Sequence, residues 1–82
     1  MTLTQLKYAI TISETGSFNK ASQILYISQP SLSNSIHELE KEFSLTLFHR
    51  SGKGVSLTNE GREFIAYARQ IYQQYETLID KF

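Results

Sequence analysis

Hydrogen-bonding side chains between residues 28 and 37 make this part of the 82-residue sequence well suited to recognising a ligand. Ser28 can act as a helix N-cap and Pro30 lies in the first helical turn, so a helix starts abruptly here. The side chains that then face outward are short or carry amides, and none is acidic: Gln29, Ser31, Ser33, Asn34 and His37. Solubility alone more often places Glu and Lys on such a face. The pattern therefore indicates a surface that contacts a partner.

The chemistry open to this surface is the recognition of DNA bases. The amides of Gln29 and Asn34 offer a paired donor and acceptor that matches the edge of adenine, and Pro30 can contact a thymine methyl group. Ser31 and Ser33 are shorter and suit a phosphate or a nearby base. For Gln29 and Pro30, simple helix initiation is the alternative interpretation.

The charges of the chain are balanced in number but separated in position. Eight Lys and Arg residues stand against eight Asp and Glu, whereas DNA-binding proteins usually carry a basic excess. No acidic residue lies between Thr15 and His37 or between Phe43 and Asn59, and the second interval contains Arg50 and Lys53. Ordinary solvated faces would mix both signs. The distribution favours an anionic partner despite the zero net charge.

Four helices and one hairpin are predicted to position these residues. The first helix is expected to start with Thr4 as its N-cap, to run to about Glu14 and to end at Gly16. Ser17 caps the second helix, and the third extends over residues 29–43. The apolar side chains predicted to face the core are Leu3, Leu6, Ala9, Ile10, Phe18, Ala21, Ile24, Leu25, Leu32, Ile36, Leu39 and Phe43.

The short link between the second and third helices predicts a helix-turn-helix, with Ile27 beneath the turn. Residues 45–50 then alternate, 51–54 form a turn and 55–57 return, which predicts a hairpin. Such a hairpin is a wing that can rest on the phosphate backbone while the third helix lies in the major groove. A solvated turn is the alternative interpretation of Lys53. The predicted DNA-binding residues are Asn19, Lys20, Ser28, Gln29, Pro30, Ser31, Ser33, Asn34, His37, Arg50 and Lys53.

The last segment, residues 58–82, carries apolar side chains at alternating spacings of four and three, which is a heptad pattern. At 1.5 Å per residue this helix is about 37 Å long, and its apolar stripe is wider than one small domain covers. An exposed stripe of that size predicts a second copy as partner, and packing on its own domain is the alternative. The predicted dimer-interface residues are Phe64, Ile65, Ala68, Ile71, Tyr72, Tyr75, Leu78, Ile79 and Phe82.

Catalytic and metal sites are not indicated. Residues 17–20 match a Ser-x-x-Lys pattern without its companion motifs, and residues 52–54 lack the spacing of a phosphate-binding loop. His37 and His49 have no acidic or cysteine partner at metal-ligand spacing. We therefore expect no enzyme, no metal and no cofactor. The absence of cysteine, of a signal peptide and of an apolar run of about 20 residues favours a soluble, cytoplasmic protein with no membrane contact.

In these motifs the sequence resembles the N-terminal DNA-binding domain of LysR-type transcriptional regulators. The resemblance spans nearly the whole chain and implies a winged helix-turn-helix over residues 1–57, a dimerising linker helix over residues 58–82 and promoter binding in a bacterial cytoplasm. It also implies a separate effector-binding domain in the full-length protein, outside these residues. The matching residues are Leu6, Gly16-Ser17-Phe18, Ala21, Leu25, Ser28-Gln29-Pro30-Ser31-Leu32-Ser33, Ile36, Leu39-Glu40, Leu47-Phe48, Arg50, Leu57-Thr58 and Gly61.

Four residues depart from the usual pattern of that family. Asn34 stands where a basic residue is frequent, so an arginine contact to guanine is replaced by an amide suited to adenine. Ser22 and Glu60 replace frequent alanines, and Ser44 replaces a frequent glycine after the third helix. The competing hypothesis is a winged-helix module that dimerises and binds protein without touching DNA.

Overall fold

The computed structural model describes residues 1–82 as four helices and a two-stranded antiparallel hairpin. The elements are α1 (Leu3–Thr15), α2 (Phe18–Leu25), α3 (Gln29–Phe43), β1 (Phe48–Ser51), β2 (Gly54–Leu57) and α4 (Asn59–Lys81). The molecule measures 43 × 26 × 20 Å, and α4 alone is about 35 Å long at 1.5 Å per residue. None of the helices combines the length and the apolar character needed to span a bilayer. The predicted mainly helical, winged architecture is confirmed.

A side-chain cap starts every helix. Ser17, Ser28 and Thr58 each accept a backbone N–H bond at the N-termini of α2, α3 and α4, as this residue type favours. The predicted start of α1 is wrong, because Thr2 rather than Thr4 is its N-cap. The Thr2 hydroxyl accepts from the Gln5 backbone at 3.0 Å, and the Gln5 side chain accepts from the Thr2 backbone at 3.0 Å. This reciprocal pair is a capping box, and it fixes the helix start.

The core lies where α1, α2, α3, the hairpin and the first half of α4 meet. Its buried apolar residues are Leu6, Ala9, Ile12, Phe18, Ala21, Leu32, Ile36, Leu39, Leu47, Phe48, Ile65 and Ala68. Leu3 and Ile10 are not buried as predicted, because α1 buries positions three residues apart and the series ends on Ile12. Ile24 is 59% exposed because it borders an open groove between α1 and α4. Phe43 is also exposed, since it lies in the last turn of α3, where the core ends.

The segment between α3 and the wing is held by Glu40. Its carboxylate accepts the Leu47 N–H at 2.6 Å, and its carbonyl accepts the Leu45 N–H at 2.9 Å. The predicted strand at residues 45–50 is therefore wrong at its start, because these bonds hold residues 45–47 outside the ladder and β1 begins at Phe48. The hairpin itself pairs from Phe48 with Leu57 to the residues flanking a two-residue turn.

The hairpin and α4 both approach neighbouring backbone closely. Val55 N–H donates to the Gly16 carbonyl at 3.0 Å, which joins β2 to the end of α1. A Cβ atom at Gly61 would lie only 2.1 Å from the Leu47 carbonyl oxygen. Thr58 strengthens this junction, since its hydroxyl donates to Thr46 at 2.6 Å and accepts from Gly61 at 2.8 Å. The wing is thus fixed relative to the helix-turn-helix from both of its ends.

Candidate nucleic-acid interface

The outer face of α3 presents several of the predicted DNA-binding side chains together. Pro30, Asn34 and His37 are four and three residues apart, so they share one side of the helix. All three are exposed, as are Gln29 and Ser31, whereas the opposite side of α3 is buried in the core. The amphipathic division of α3 therefore leaves the polar face free for a ligand.

The polar groups on this face differ in how far the fold already uses them. The side chains of Gln29, Asn34 and His37 appear in no hydrogen bond within the domain, so their donors and acceptors are free. The Ser28 hydroxyl accepts from Ser31 N at 3.2 Å and donates to the Ser31 hydroxyl at 2.8 Å. The Ser28 hydroxyl thus already caps α3, so it would have to keep this function while also contacting DNA.

Asn19 and Lys20 lie at the N-terminal end of α2, and both are exposed. The Lys20 backbone N–H donates to the Ser17 cap at 3.1 Å, while its ammonium forms no ion pair. Asn19 accepts a long bond from Gln23 at 3.5 Å. No acidic residue occupies the first turn of α2, so its positive end and the Lys20 charge both face outward. This end of α2 is suited to a phosphate contact.

The two basic residues of the wing are held differently. The Arg50 guanidinium carbon lies 3.6 Å from the centroid of the Phe18 ring, and its Nη2 donates to the Ser33 hydroxyl at 3.1 Å. Lys53 lies in the turn, where its backbone N–H donates to the Ser51 hydroxyl at 3.3 Å. Neither side chain pairs with a carboxylate. Both charges therefore remain available to an anion.

The three acidic residues of α3 follow His37 in the chain, and two of them serve the fold. Glu40 holds the segment before the wing, and Glu42 forms an ion pair with the Met1 amino group. Elsewhere, Glu14 pairs with Arg69 at 3.0 Å. No three His, Cys, Asp or Glu side chains come together in a group that could hold a metal ion. The contact between Arg50 and Ser33 brings the second acid-free interval of the sequence against the first, in the first half of α3.

The predicted dimer face on α4 is only partly exposed. Ile65 and Ala68 are 4% and 2% exposed, so these two predictions are wrong: the side chains belong to the domain's own core, where α4 packs on α1. Phe64 is half-buried and packs edge-on against Phe43, with ring centroids 5.2 Å apart. The exposed apolar residues of the last turns are Ile71, Leu78, Ile79 and Phe82, with Tyr72 and Tyr75 half-buried beside them. An apolar face therefore remains, displaced toward the C-terminal half of α4.

Comparison with known proteins agrees with this geometry. Residues 3–62 match the model of a family described as bacterial regulatory helix-turn-helix proteins, lysR family. The chain belongs to the LysR family. The matched residues run from the first turn of α1 into α4, so they include the whole helix-turn-helix and the wing.

Related proteins place this LysR domain in a longer context. It is 46% identical over 79 residues to YcgK, an uncharacterised HTH-type transcriptional regulator of Bacillus subtilis (strain 168). The matched residues make up 96% of this chain but 24% of YcgK. The chain thus spans about a quarter of that relative's length.

Two solved domains share the fold. The DNA-binding domain of BenM with catB site 1 DNA matches at a TM-score of 0.92 and 35% identity, over 98% of this chain and 86% of that one. The DNA complex of the CbnR DNA-binding domain matches at a TM-score of 0.92 and 33% identity, over 99% and 93%. These similarities confirm the winged helix-turn-helix and the resemblance drawn from the sequence.

Ser44 shows how this LysR domain accommodates one departure from the family pattern. It caps the C-terminus of α3 with φ 53° and ψ 41°, in the left-handed region. This conformation costs an L-residue roughly 1–2 kcal/mol, which glycine avoids. The fold therefore keeps the glycine-type backbone turn while carrying a serine.

Proposed function

We propose that this LysR domain binds double-stranded promoter DNA sequence-specifically, with α3 in the major groove and the wing on the phosphate backbone. One observation carries the proposal: free amides on the exposed face of α3 are flanked by unpaired cations on α2 and on the wing, with no carboxylate between them. Base edges require such donors and acceptors, and phosphates require such cations.

The contacts divide into two groups. Gln29 and Asn34 are proposed to read bases, because their amides can pair with adenine through two hydrogen bonds, and Pro30 lies beside them for a thymine methyl. Cationic and short polar side chains around them are proposed to hold the phosphates, which fixes the position of α3 without specifying sequence. These positioning residues are Asn19, Lys20, Ser28, Ser31, Ser33, His37, Arg50 and Lys53.

The domain is further proposed to act as a homodimer through α4. Ile71, Leu78 and Ile79 are 45%, 58% and 55% exposed, and grouped exposed apolar side chains of this kind mark an interaction surface. A two-fold pair would cover the same face on both copies. Each copy also presents few cations to DNA, so pairing two copies doubles the phosphate contacts per site.

The longer protein belongs to this proposal as well. The chain covers 24% and 31% of two curated relatives, both named HTH-type transcriptional regulators. This supports a regulator rather than an enzyme, with an effector-binding domain outside these residues and a bacterial cytoplasm as its location. The proposed boundary falls between residues 57 and 58, although α4 continues into the same core.

The decisive experiment is DNA binding at two salt concentrations. A duplex is first selected from a random library, and binding to it and to a scrambled duplex is measured by fluorescence anisotropy. We expect tighter binding to the selected duplex and a steep loss of affinity with salt, because each phosphate contact releases counterions. Failure to select any duplex, or binding that does not respond to salt, would support the protein-binding alternative instead.

A further inference from the structure

A single side chain joins the wing to the recognition helix. Arg50 on β1 donates to the hydroxyl of Ser33 on α3 at 3.1 Å, and its guanidinium lies 3.6 Å from the ring centroid of Phe18 on α2. Phe18 is buried and packs edge-on against Phe48, with centroids 6.0 Å apart. The guanidinium is therefore held by all three elements that surround the proposed DNA-binding face.

We propose that Arg50 and Ser33 act as one unit that binds a single phosphate of the DNA backbone, with Phe18 fixing the plane of the guanidinium. This inference rests on the proposed function. In such a unit the effect of each residue on DNA binding depends on the other. Two independent contacts to the DNA backbone would show no such dependence.

The hydrogen-bonding groups of Arg50 and Ser33 that the fold does not use define what the pair can bind. A serine hydroxyl has one proton and two acceptor positions, and Arg50 occupies one of the acceptors. The Ser33 hydroxyl donates to no group within the domain, so its O–H is free to donate to a ligand. Arg50 has five N–H donors, of which one is used internally, and no carboxylate pairs with it. The unit thus offers several donors and a positive charge, which match the acceptor oxygens of a phosphate.

The Arg50 guanidinium is preorganised for binding, whereas the Lys53 ammonium on the same wing is not. Stacking on an aromatic ring and a hydrogen bond to α3 orient the guanidinium before DNA arrives, which lowers the entropy lost on binding. The Lys53 ammonium has no partner in the fold. Its contribution is then that of a mobile point charge, independent of Ser33. The two wing cations should therefore respond differently to the same second mutation.

A double-mutant cycle tests the coupling. Binding of Ser33→Ala, Arg50→Gln and the double variant to the selected duplex is measured by anisotropy at two salt concentrations. We expect Arg50→Gln to weaken binding on the order of tenfold or more and to lower the slope of log K against log salt by about 0.9, as for one phosphate. Ser33→Ala should weaken binding on the order of tenfold in the wild-type background, since a charge-assisted hydrogen bond to the phosphate is lost. In the Arg50→Gln background the same change should cost less than about twofold, because the unit is already broken.

Two further variants complete the design. Arg50→Lys keeps the charge without the planar fork, so it should retain the salt slope while losing the coupling to Ser33. If Arg50→Gln does not fold, as judged by thermal unfolding, the cycle with Arg50→Lys measures the same coupling. Lys53→Gln is the matched control, and its effect should multiply with that of Ser33→Ala. Equal losses from Ser33→Ala in the wild-type and Arg50 backgrounds would overturn the unit while leaving DNA binding intact. Absence of any wild-type binding would instead refute the proposed function.

Discussion

Replacing Gly61 with alanine tests the close approach between α4 and the segment before the wing. At an ordinary helix position this change stabilises a protein by about 0.5–1 kcal/mol, because glycine is a poor helix former. Here the added Cβ would lie 2.1 Å from the Leu47 carbonyl oxygen and 3.0 Å from the Thr58 hydroxyl. The Leu47 carbonyl belongs to the backbone and cannot move aside as the end of a flexible side chain can. The start of α4 must therefore shift by about 1 Å to restore a normal distance between the new Cβ and this oxygen.

That shift acts on the bonds at the same junction. Thr58 joins α4 to the preceding segment through bonds of 2.6 Å to Thr46 O and 3.0 Å from its own N–H to Leu47 O. Overpacking costs roughly 1–3 kcal/mol and each weakened hydrogen bond up to about 1.5 kcal/mol. The gain in helix propensity offsets part of these losses. We therefore expect Gly61→Ala to lower the free energy of unfolding by about 2–4 kcal/mol.

Thermal unfolding followed by circular dichroism measures this loss. For a domain of this size, each kcal/mol lowers Tm by roughly 4–8 °C, so a decrease of at least about 8 °C is expected. Gly52→Ala is the matched control, because a Cβ there meets no atom within 4 Å and no positive φ is required. Protein concentration is kept equal, since dimerisation would also raise Tm. A Gly61→Ala domain as stable as the wild type would refute the argument, since the contact would then have relaxed freely.

Three other changes follow from the same structure. Ser44→Gly should raise the free energy of unfolding by about 0.5–1 kcal/mol in urea denaturation, since relief of the left-handed strain exceeds the added chain entropy; a decrease would contradict it. Asn34→Ala should lose about 1–3 kcal/mol of discrimination between selected and scrambled duplexes, whereas Lys53→Ala should weaken both alike; equal losses from both changes would refute this division. If the proposed dimer forms through α4, Ile71→Asp should convert it to a monomer in sedimentation velocity, with Gln70→Asp as the control; an unchanged mass would remove α4 from the interface.

Local signals in the sequence were enough to predict most of the secondary structure. Ser28 followed by Pro30 marks the start of α3 because a cap and a preset φ act within one turn. The wrong start of α1 was also avoidable, since Thr2 and Gln5 have the spacing of a capping box. The late start of β1 has no such signal, because it depends on a hydrogen bond that the Leu47 N–H donates to the Glu40 carboxylate, seven residues away.

Tertiary packing decided the features that the sequence left ambiguous. A heptad pattern predicts an apolar face but does not say what covers it, so it cannot show that Ile65 and Ala68 are buried within their own domain. The contact between Arg50 and Ser33 joins residues 17 positions apart in different elements. From the sequence, Phe18 is predicted only as a core residue. Its second role beneath a guanidinium emerges only when the wing folds over α2.

The zero net charge of the chain is compatible with the proposed DNA binding because its charges are placed unequally. Glu14 and Glu42 are bound in ion pairs within the fold, and Glu40 accepts a backbone N–H, whereas the cations beside α3 have no such partners. One copy then presents three cations to phosphates, Lys20, Arg50 and Lys53, which corresponds to a salt slope of about −2.7. A dimer doubles this to about −5.4. The proposed dimerisation through α4 would therefore supply the electrostatic affinity that the neutral chain lacks as a single copy.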